Sequence, residues 1–121
     1  MLPAPNRLRS ASDFASAIRG RGGARAGSGL VVVHAAVADS RVGLPPRVGF
    51  VVSKAVGGSV VRHRTIRRLR AVMMTELGGI PTGVDVVVRA LPPAGRASSR
   101  ELSDTLKPLL HRVIRRFEVS A

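Results

Sequence analysis

The sequence contains no cysteine, no tryptophan and no tyrosine, and it has only seven acidic residues in 121. Without cysteine there is no disulfide framework, thiolate zinc site, iron–sulfur cluster or thiol nucleophile. With three phenylalanines as its whole aromatic content, it offers a membrane surface few of the anchors that interfacial helices use. Long apolar runs are missing too. The longest, such as Leu30–Val33 and Val86–Val88, fall far below the roughly 20 residues that span a bilayer. The first residues (Met-Leu-Pro-Ala-Pro-Asn-Arg) lack the apolar stretch and small-residue cleavage pattern of a signal peptide. The expectation is a cytoplasmic protein with no membrane partner.

What is present is positive charge. Twenty basic residues, all arginine except Lys54 and Lys107, stand against seven acids and give +13. A field of this sign makes a polyanion the default partner. Hydrophobic residues make up 45% of the chain, enough apolar surface to offset chain entropy, so a disordered basic tail is excluded. The length suits one domain over residues 1–121 with one modest core, and no repeat of solenoid length is visible.

Periodicity divides the chain into a helix, two strands, a helix, a strand and a helix, which is class α+β. Ser10 or Ser12 caps the first helix, Asp13 suits its positive end, and Phe14, Ala17 and Ile18 share one face. Five glycines make Gly20–Gly29 a mobile loop carrying Arg21 and Arg25. Leu30–Val37 and Arg47–Lys54 read as strands. Ser59 is the expected cap of a helix from Val60 to about Leu77, with Ile66, Leu69, Met73 and Leu77 in one stripe. Val84–Arg89 is the next strand. Ser98 and Glu101 form a capping box for the last helix, whose apolar face runs from Leu102 to Phe117. Pro108 lies inside it and predicts a kink or a split.

The segment Arg62-His63-Arg64-Thr65-Ile66-Arg67-Arg68-Leu69-Arg70 carries five arginines and a histidine in nine residues. At 100° per residue, Arg64 and Arg68 are expected opposite the apolar stripe and Arg67 at its side. Arg62 and Arg70 flank the stripe with stems packed and heads reaching out. Guanidinium forks bind phosphate oxygens bidentately. No acid occurs between Asp39 and Glu76, so intrahelical pairing cannot relieve the repulsion. The bland alternative, a solvated charged face, fits mixed-sign helices better than this one. Charge alone does not separate RNA from DNA, though strands on both sides of the helix argue against a helix-turn-helix.

No catalytic apparatus is visible. Gly57-Gly58-Ser59 lacks the Walker continuation. His34, His63 and His111 lack metal-ligand spacing, and the acids are scattered singly, without a two-metal or triad pattern. An autonomous nuclease is therefore disfavoured. Phe14 is either core or a stacking platform beside a basic groove.

The residues Arg7-Leu-Arg9 with Asp13-Phe14, Arg47-Val-Gly-Phe-Val-Val-Ser-Lys54 and Val56-Gly-Gly-Ser-Val-Val-Arg62-His-Arg64 with Arg67-Arg68-Leu-Arg70 resemble the protein subunit of bacterial ribonuclease P. Asp85–Pro92 and the Ser98–Glu101 helix start also fit. That family removes the 5′ leader from precursor tRNA as a ribonucleoprotein endonuclease. The resemblance implies a two-layer α/β sandwich with a four-stranded mixed sheet and a left-handed crossover through the arginine-rich helix. It implies a catalytic RNA subunit holding the active site and its Mg2+, with no metal and no catalytic residue on the protein. Carried onto this chain, Arg62, His63, Arg64, Arg67, Arg68 and Arg70 face that RNA, and Lys54 ends the strand leading to them. Phe14 lies in the cleft for the single-stranded leader, and Arg7 and Arg9 are also counted among the RNA-binding residues.

This chain departs from the family pattern at His63, where asparagine is common, and at Ile66, where a base is common. It also lacks the second aromatic at Ile18 and a tyrosine near Val33 or His34. Leader stacking is accordingly expected to be weaker and the electrostatic share larger, with Arg21 and Arg25 compensating. The alternative reading is a structural, ribosomal-type RNA-binding protein with no role in processing.

Overall fold

Strand formation follows the β-branched runs of the sequence. The computed structural model describes residues 2–19 and 23–118. Its sheet comprises Ala24–Gly27 (β1), Val31–Val37 (β2), Arg47–Val51 (β3) and Val84–Ala90 (β4), in the order β1-β2-β4-β3. β1 with β2 and β2 with β4 are antiparallel, whereas β3 and β4 are parallel. Parallel neighbours need a crossover. The helix Ser59–Glu76 (α2) supplies it, while Ala11–Arg19 (α1) and Ser99–Glu118 (α3) complete the helical set among the described residues. The class is α+β with a mixed four-stranded sheet, as expected.

β2 and β4 are central and buried on both faces, which is why they read as near-continuous valine runs. On one face, Val31, Val33, Ala35, Val86 and Val88 pack with Leu69 and Met73 of α2 and Leu102, Leu106 and Leu110 of α3. Full burial of each such leucine or valine is worth about 1.5–3 kcal/mol relative to exposure. These two layers hold the main core. The opposite face carries a smaller cluster in which Val87 meets Leu8 and Ala17, with Phe14 and Val51 beside them.

The short α1 is docked at two points. Asp13 Oδ2 accepts a bond from Arg47 Nη1 at 3.0 Å, while Arg47 also grips Asp85 through Nε at 2.9 Å and Nη2 at 2.7 Å. The hydrogen bond to the Asp85 carboxylate holds the Arg47 guanidinium above its ordinary pKa, against the cost of burial. Beside this pair, the Phe14 ring packs closely on Gly49. A β-carbon there would sit 2.4 Å from two ring carbons of Phe14 and 2.9 Å from Leu8 Cβ. The N-terminal segment covers the outer edge of β3: Leu8 N–H donates to the Val48 carbonyl at 3.0 Å, and Asn6 Nδ2 to the Pro46 carbonyl at 2.7 Å.

Several expectations are corrected. Part of the Gly20–Gly29 loop is strand β1, because Ala24 and Ala26 are small enough to alternate inward beneath α3 while Arg25 and Gly27 face out; residues 20–22 lie outside the described residues. β3 ends at Val51, and Lys54 instead opens a turn of 3-10 helix, Lys54–Val56. Gly58, not Ser59, occupies the cap of α2, and no side chain bonds its first turn. α3 is one helix through Pro108, so the expected split does not occur. Pro108 and Asp104, whose carbonyl loses its helical partner there, are both exposed residues, away from the buried Leu106, Leu109 and Leu110. Two capping readings hold. Ser10 Oγ accepts the Asp13 N–H at 3.1 Å, and Ser98 and Glu101 exchange reciprocal bonds of 3.0 Å. The bond from the Ser98 N–H also keeps the Glu101 carboxyl below the usual range.

Two tests follow. Gly49→Ala evicts the Phe14 ring and crowds Leu8, and should cost about 1–3 kcal/mol by chemical denaturation, the range for overpacking. His34, 7% exposed on the α1 face with Nε2 unpartnered, has its pKa lowered by burial and then by Arg25 and Arg89. As pH falls through about 6.5, the unfolded chain takes up a proton that the folded one resists. Stability should therefore be constant above that pH and decline below it, by at most about 1.4 kcal/mol per pH unit. In His34→Gln, denaturation curves between pH 7.5 and 5 should lack this component.

Candidate nucleic-acid interface

α2 is anchored by Thr65, Leu69, Val72 and Met73. Thr65 is admitted to the core because its hydroxyl donates to the Val61 carbonyl at 2.8 Å, leaving no unmet polar group. The buried line thus falls one residue N-terminal of Ile66, and Ile66 is only half-buried. This rotation corrects the expected placement of the arginines. Arg64 and Arg68 do not project freely. Arg64 Nη2 donates to the Gly95 carbonyl at 2.9 Å, and Arg68 Nη1 to the Ala97 carbonyl at 2.7 Å. They tie α2 to the connection before α3. Gly95 also lets this connection pack closely on the turn before α2 and on α2 itself, since a β-carbon would lie 2.5 Å from the Val56 carbonyl oxygen and 3.0 Å from Val61 Cγ1.

His63 and Arg67 are exposed, while Arg62 and Arg70 are half-buried. Lys54 is exposed just before α2. The ion pairs among the described residues join Arg47 to Asp13 and Asp85, Arg100 to Asp104 and His111 to Glu76. None uses an arginine of α2. The Nε groups of Arg62 and Arg64 are buried without an acceptor. Those two atoms are out of a partner's reach; the donors free for an external partner with many acceptors are the terminal guanidinium nitrogens that the Gly95 and Ala97 carbonyls do not engage.

A cleft of about 270 Å³ opens between the N-terminal segment, α1, β3 and α2. Phe14, Leu8, Val48, Phe50 and Ile66 give it an apolar wall, and Arg7 and Arg70 supply charge at its rim. Arg7 Nε is engaged by the Leu2 carbonyl at 2.8 Å, so its other N–H groups remain available. Arg9 is exposed but does not line the cleft. Leu2, Gly49 and Phe50 are lining residues that sequence reasoning missed. The Gly49 signal, a glycine within a valine-rich strand, marks close approach of another group. Farther along the same sheet face, Arg25 stands opposite His34 and Arg89 opposite Val32, both arginines exposed. Arg21 lies outside the described residues. No helix among them is long and apolar enough to cross a membrane.

The family model described as Ribonuclease P matches residues 2–114. The ribonuclease P protein component of Beutenbergia cavernae is 57% identical over 102 residues, covering 84% of this chain and 82% of that one. That of Streptomyces griseus is 48% identical over 120 residues, covering 94% and 96%. Among solved structures, the RNase P protein of Staphylococcus aureus aligns with a TM-score of 0.76 at 22% identity, covering 90% and 97%. That of Thermotoga maritima aligns at 0.69 and 24%, covering 90% and 96%. The two structural likenesses speak for the fold alone. Together with the family match across residues 2–114, relatives about half-identical over most of the chain place it in the ribonuclease P protein family.

Proposed function

We propose that this chain is the protein subunit of a ribonuclease P ribonucleoprotein, docking the catalytic RNA on α2 and holding the 5′ leader of precursor tRNA in the Phe14 cleft. The carrying observation is α2 itself: a helix fixed to the sheet by one face, its arginines free of every described acid. Its guanidinium groups neutralise RNA phosphates and release counterions. Arg62, His63 and Arg67 make direct contacts. Arg64 and Arg68 spend one donor each on the protein backbone and offer the remainder from a fixed position.

In the cleft, one base stacks on Phe14 while Arg7 and Arg70 take the adjoining phosphates, and Lys54 and Arg9 add positive field at the margins. The strand then continues over Arg25 and Arg89. Such contacts position a strand without reading its bases, so leader binding is largely sequence-tolerant. The Mg2+ ions of the hydrolysis are assigned to the RNA subunit. Among the described residues no group of three His, Cys or acidic side chains is arranged to hold a metal. By screening phosphate repulsion between leader, tRNA and RNA subunit, the protein lowers the magnesium that the RNA requires. The site of action is the cytoplasm, where precursor tRNA is made.

Reconstitution tests this. With a bacterial ribonuclease P RNA at low magnesium, mature tRNA and a released 5′ leader should appear only when the protein is added. Stimulation no greater than that of an unrelated basic protein would instead favour a structural RNA-binding role. Single substitutions should separate the arginines of α2. Arg67→Ala should lower the slope of log affinity against log salt by about 0.7–0.9, one contact's worth, with stability unchanged. Arg64→Ala and Arg68→Ala should lose a similar slope and also about 1 kcal/mol of stability, because each abandons a backbone carbonyl.

A further inference from the structure

In a molecule of net charge +13 that binds polyanions, an acid beside the binding cleft opposes binding. Asp13 is such an acid. It immediately precedes Phe14, and its side chain is 36% exposed while bonded to Arg47 at 3.0 Å. Arg47 does not need it for charge balance, since Asp85, only 5% exposed, already holds the guanidinium at two points. The contact matters more to the helix. α1 has nine residues, below the about 12–15 at which an isolated helix becomes even marginal. Its burial is slight: Ala17 is its one buried residue, Phe14 is half-buried, and Ile18 is 37% exposed. The polar contact and the ring contact are in register, Asp13 on Arg47 and Phe14 on Gly49, two residues apart along β3.

We infer that Asp13 is a positioning residue for the leader cleft: its bond to the Asp85-held Arg47 fixes the tilt of α1 over β3 and so places Phe14 as the cleft wall. This rests on the assignment of the cleft to the leader. The Arg47–Asp85 pair is the anchor, set in the sheet by the Arg47–Asp85 register, and Asp13 is the catch that closes on it. Freed of that catch, α1 keeps the ring contact and the packing of Ala17 on Val87, and tilts about them. The leader then meets a wall whose position varies, and binding must bear the ordering cost.

The test uses the sign of the effect. Removing an acid raises the net charge by one, so simple electrostatics predicts tighter RNA binding from Asp13→Ala and from Asp13→Asn alike. Positioning predicts the reverse, and unequally, because asparagine still offers Arg47 an acceptor oxygen. Affinity of the reconstituted holoenzyme is measured for precursor tRNA with a leader long enough to fill the cleft and with a one-nucleotide leader. Asp13→Ala should weaken the long-leader substrate about three- to fivefold, the scale of one partly exposed charge pair. Asp13→Asn should recover part of that loss. The short-leader substrate and the affinity for the RNA subunit should be unchanged in both. Unchanged or tighter long-leader binding in Asp13→Ala overturns the inference. So does equal weakening of both substrates, which marks a general loss of structure. Absence of leader-length discrimination in the wild-type holoenzyme is a different failure: it overturns the cleft assignment and this inference with it.

Discussion

The structure depends on holding a helix of like charges against a sheet. Five arginines in nine residues of α2 put like charges at neighbouring positions on one helix. Each pair about 6 Å apart repels by about 0.7–3 kcal/mol, depending on how much water lies between. No described acid relieves this. What offsets it is burial: Leu69 and Met73 are fully enclosed against the valines of β4 and the leucines of α3. Two of the arginines are also turned into fasteners by the Gly95 and Ala97 carbonyls. The double-sided burial of β2 and β4 serves the same end, since a helix carrying this much charge needs a rigid floor.

Much of this was legible in the residues. The valine runs of β2 and β4 and the reciprocal Ser98–Glu101 cap are local signals, and local signals survive folding. What escaped was decided by tertiary contact. Ala24 and Ala26 form a strand because α3 covers them, and no propensity in a glycine-rich stretch announces a helix lying elsewhere in the chain. The rotation of α2 turned on Thr65, a polar residue that satisfies its own hydroxyl one turn back and thereby enters the core. Once it does, Ile66 is displaced toward the cleft and Arg64 and Arg68 swing toward the α3 connection. Pro108 was a fair warning of a break, yet it falls on the exposed side of a helix whose other side, Leu106, Leu109 and Leu110, is held in the core.

The candidate site was half legible. The density of arginine identified α2, and the resemblance of Asp13-Phe14 and Arg47–Lys54 to one family singled out the cleft. The cleft's construction was not readable. It needs Gly49 to lack a side chain so that Phe14 can lie on the strand, and it needs Leu2, Phe50 and Ile66 gathered from three distant segments. Residues 14 and 49 belong together only because β3 and α1 are packed that way. The missing second aromatic has a visible consequence: Ile18 is 37% exposed and does not line the cleft, leaving Phe14 as the wall on α1 against which a base can stack.

Fold and binding are thereby coupled energetically. The repulsion within α2 is a cost carried by the folded state, because the unfolded chain spreads the same charges apart. A polyanion that binds only the folded form removes that cost as it binds and stabilises the fold by RT ln(1 + L/Kd), which rises with its free concentration L. By the same linkage, whatever strengthens the floor beneath α2 improves the interface, because less of the binding energy then goes into ordering the helix. Substitutions in the valine sheet, far from any RNA contact, therefore act on RNA affinity through the helix they support, and those on the exposed rim of α2 act through charge alone. Arg64 and Arg68 belong to both classes, being at once part of the floor's fastening and part of the charged surface.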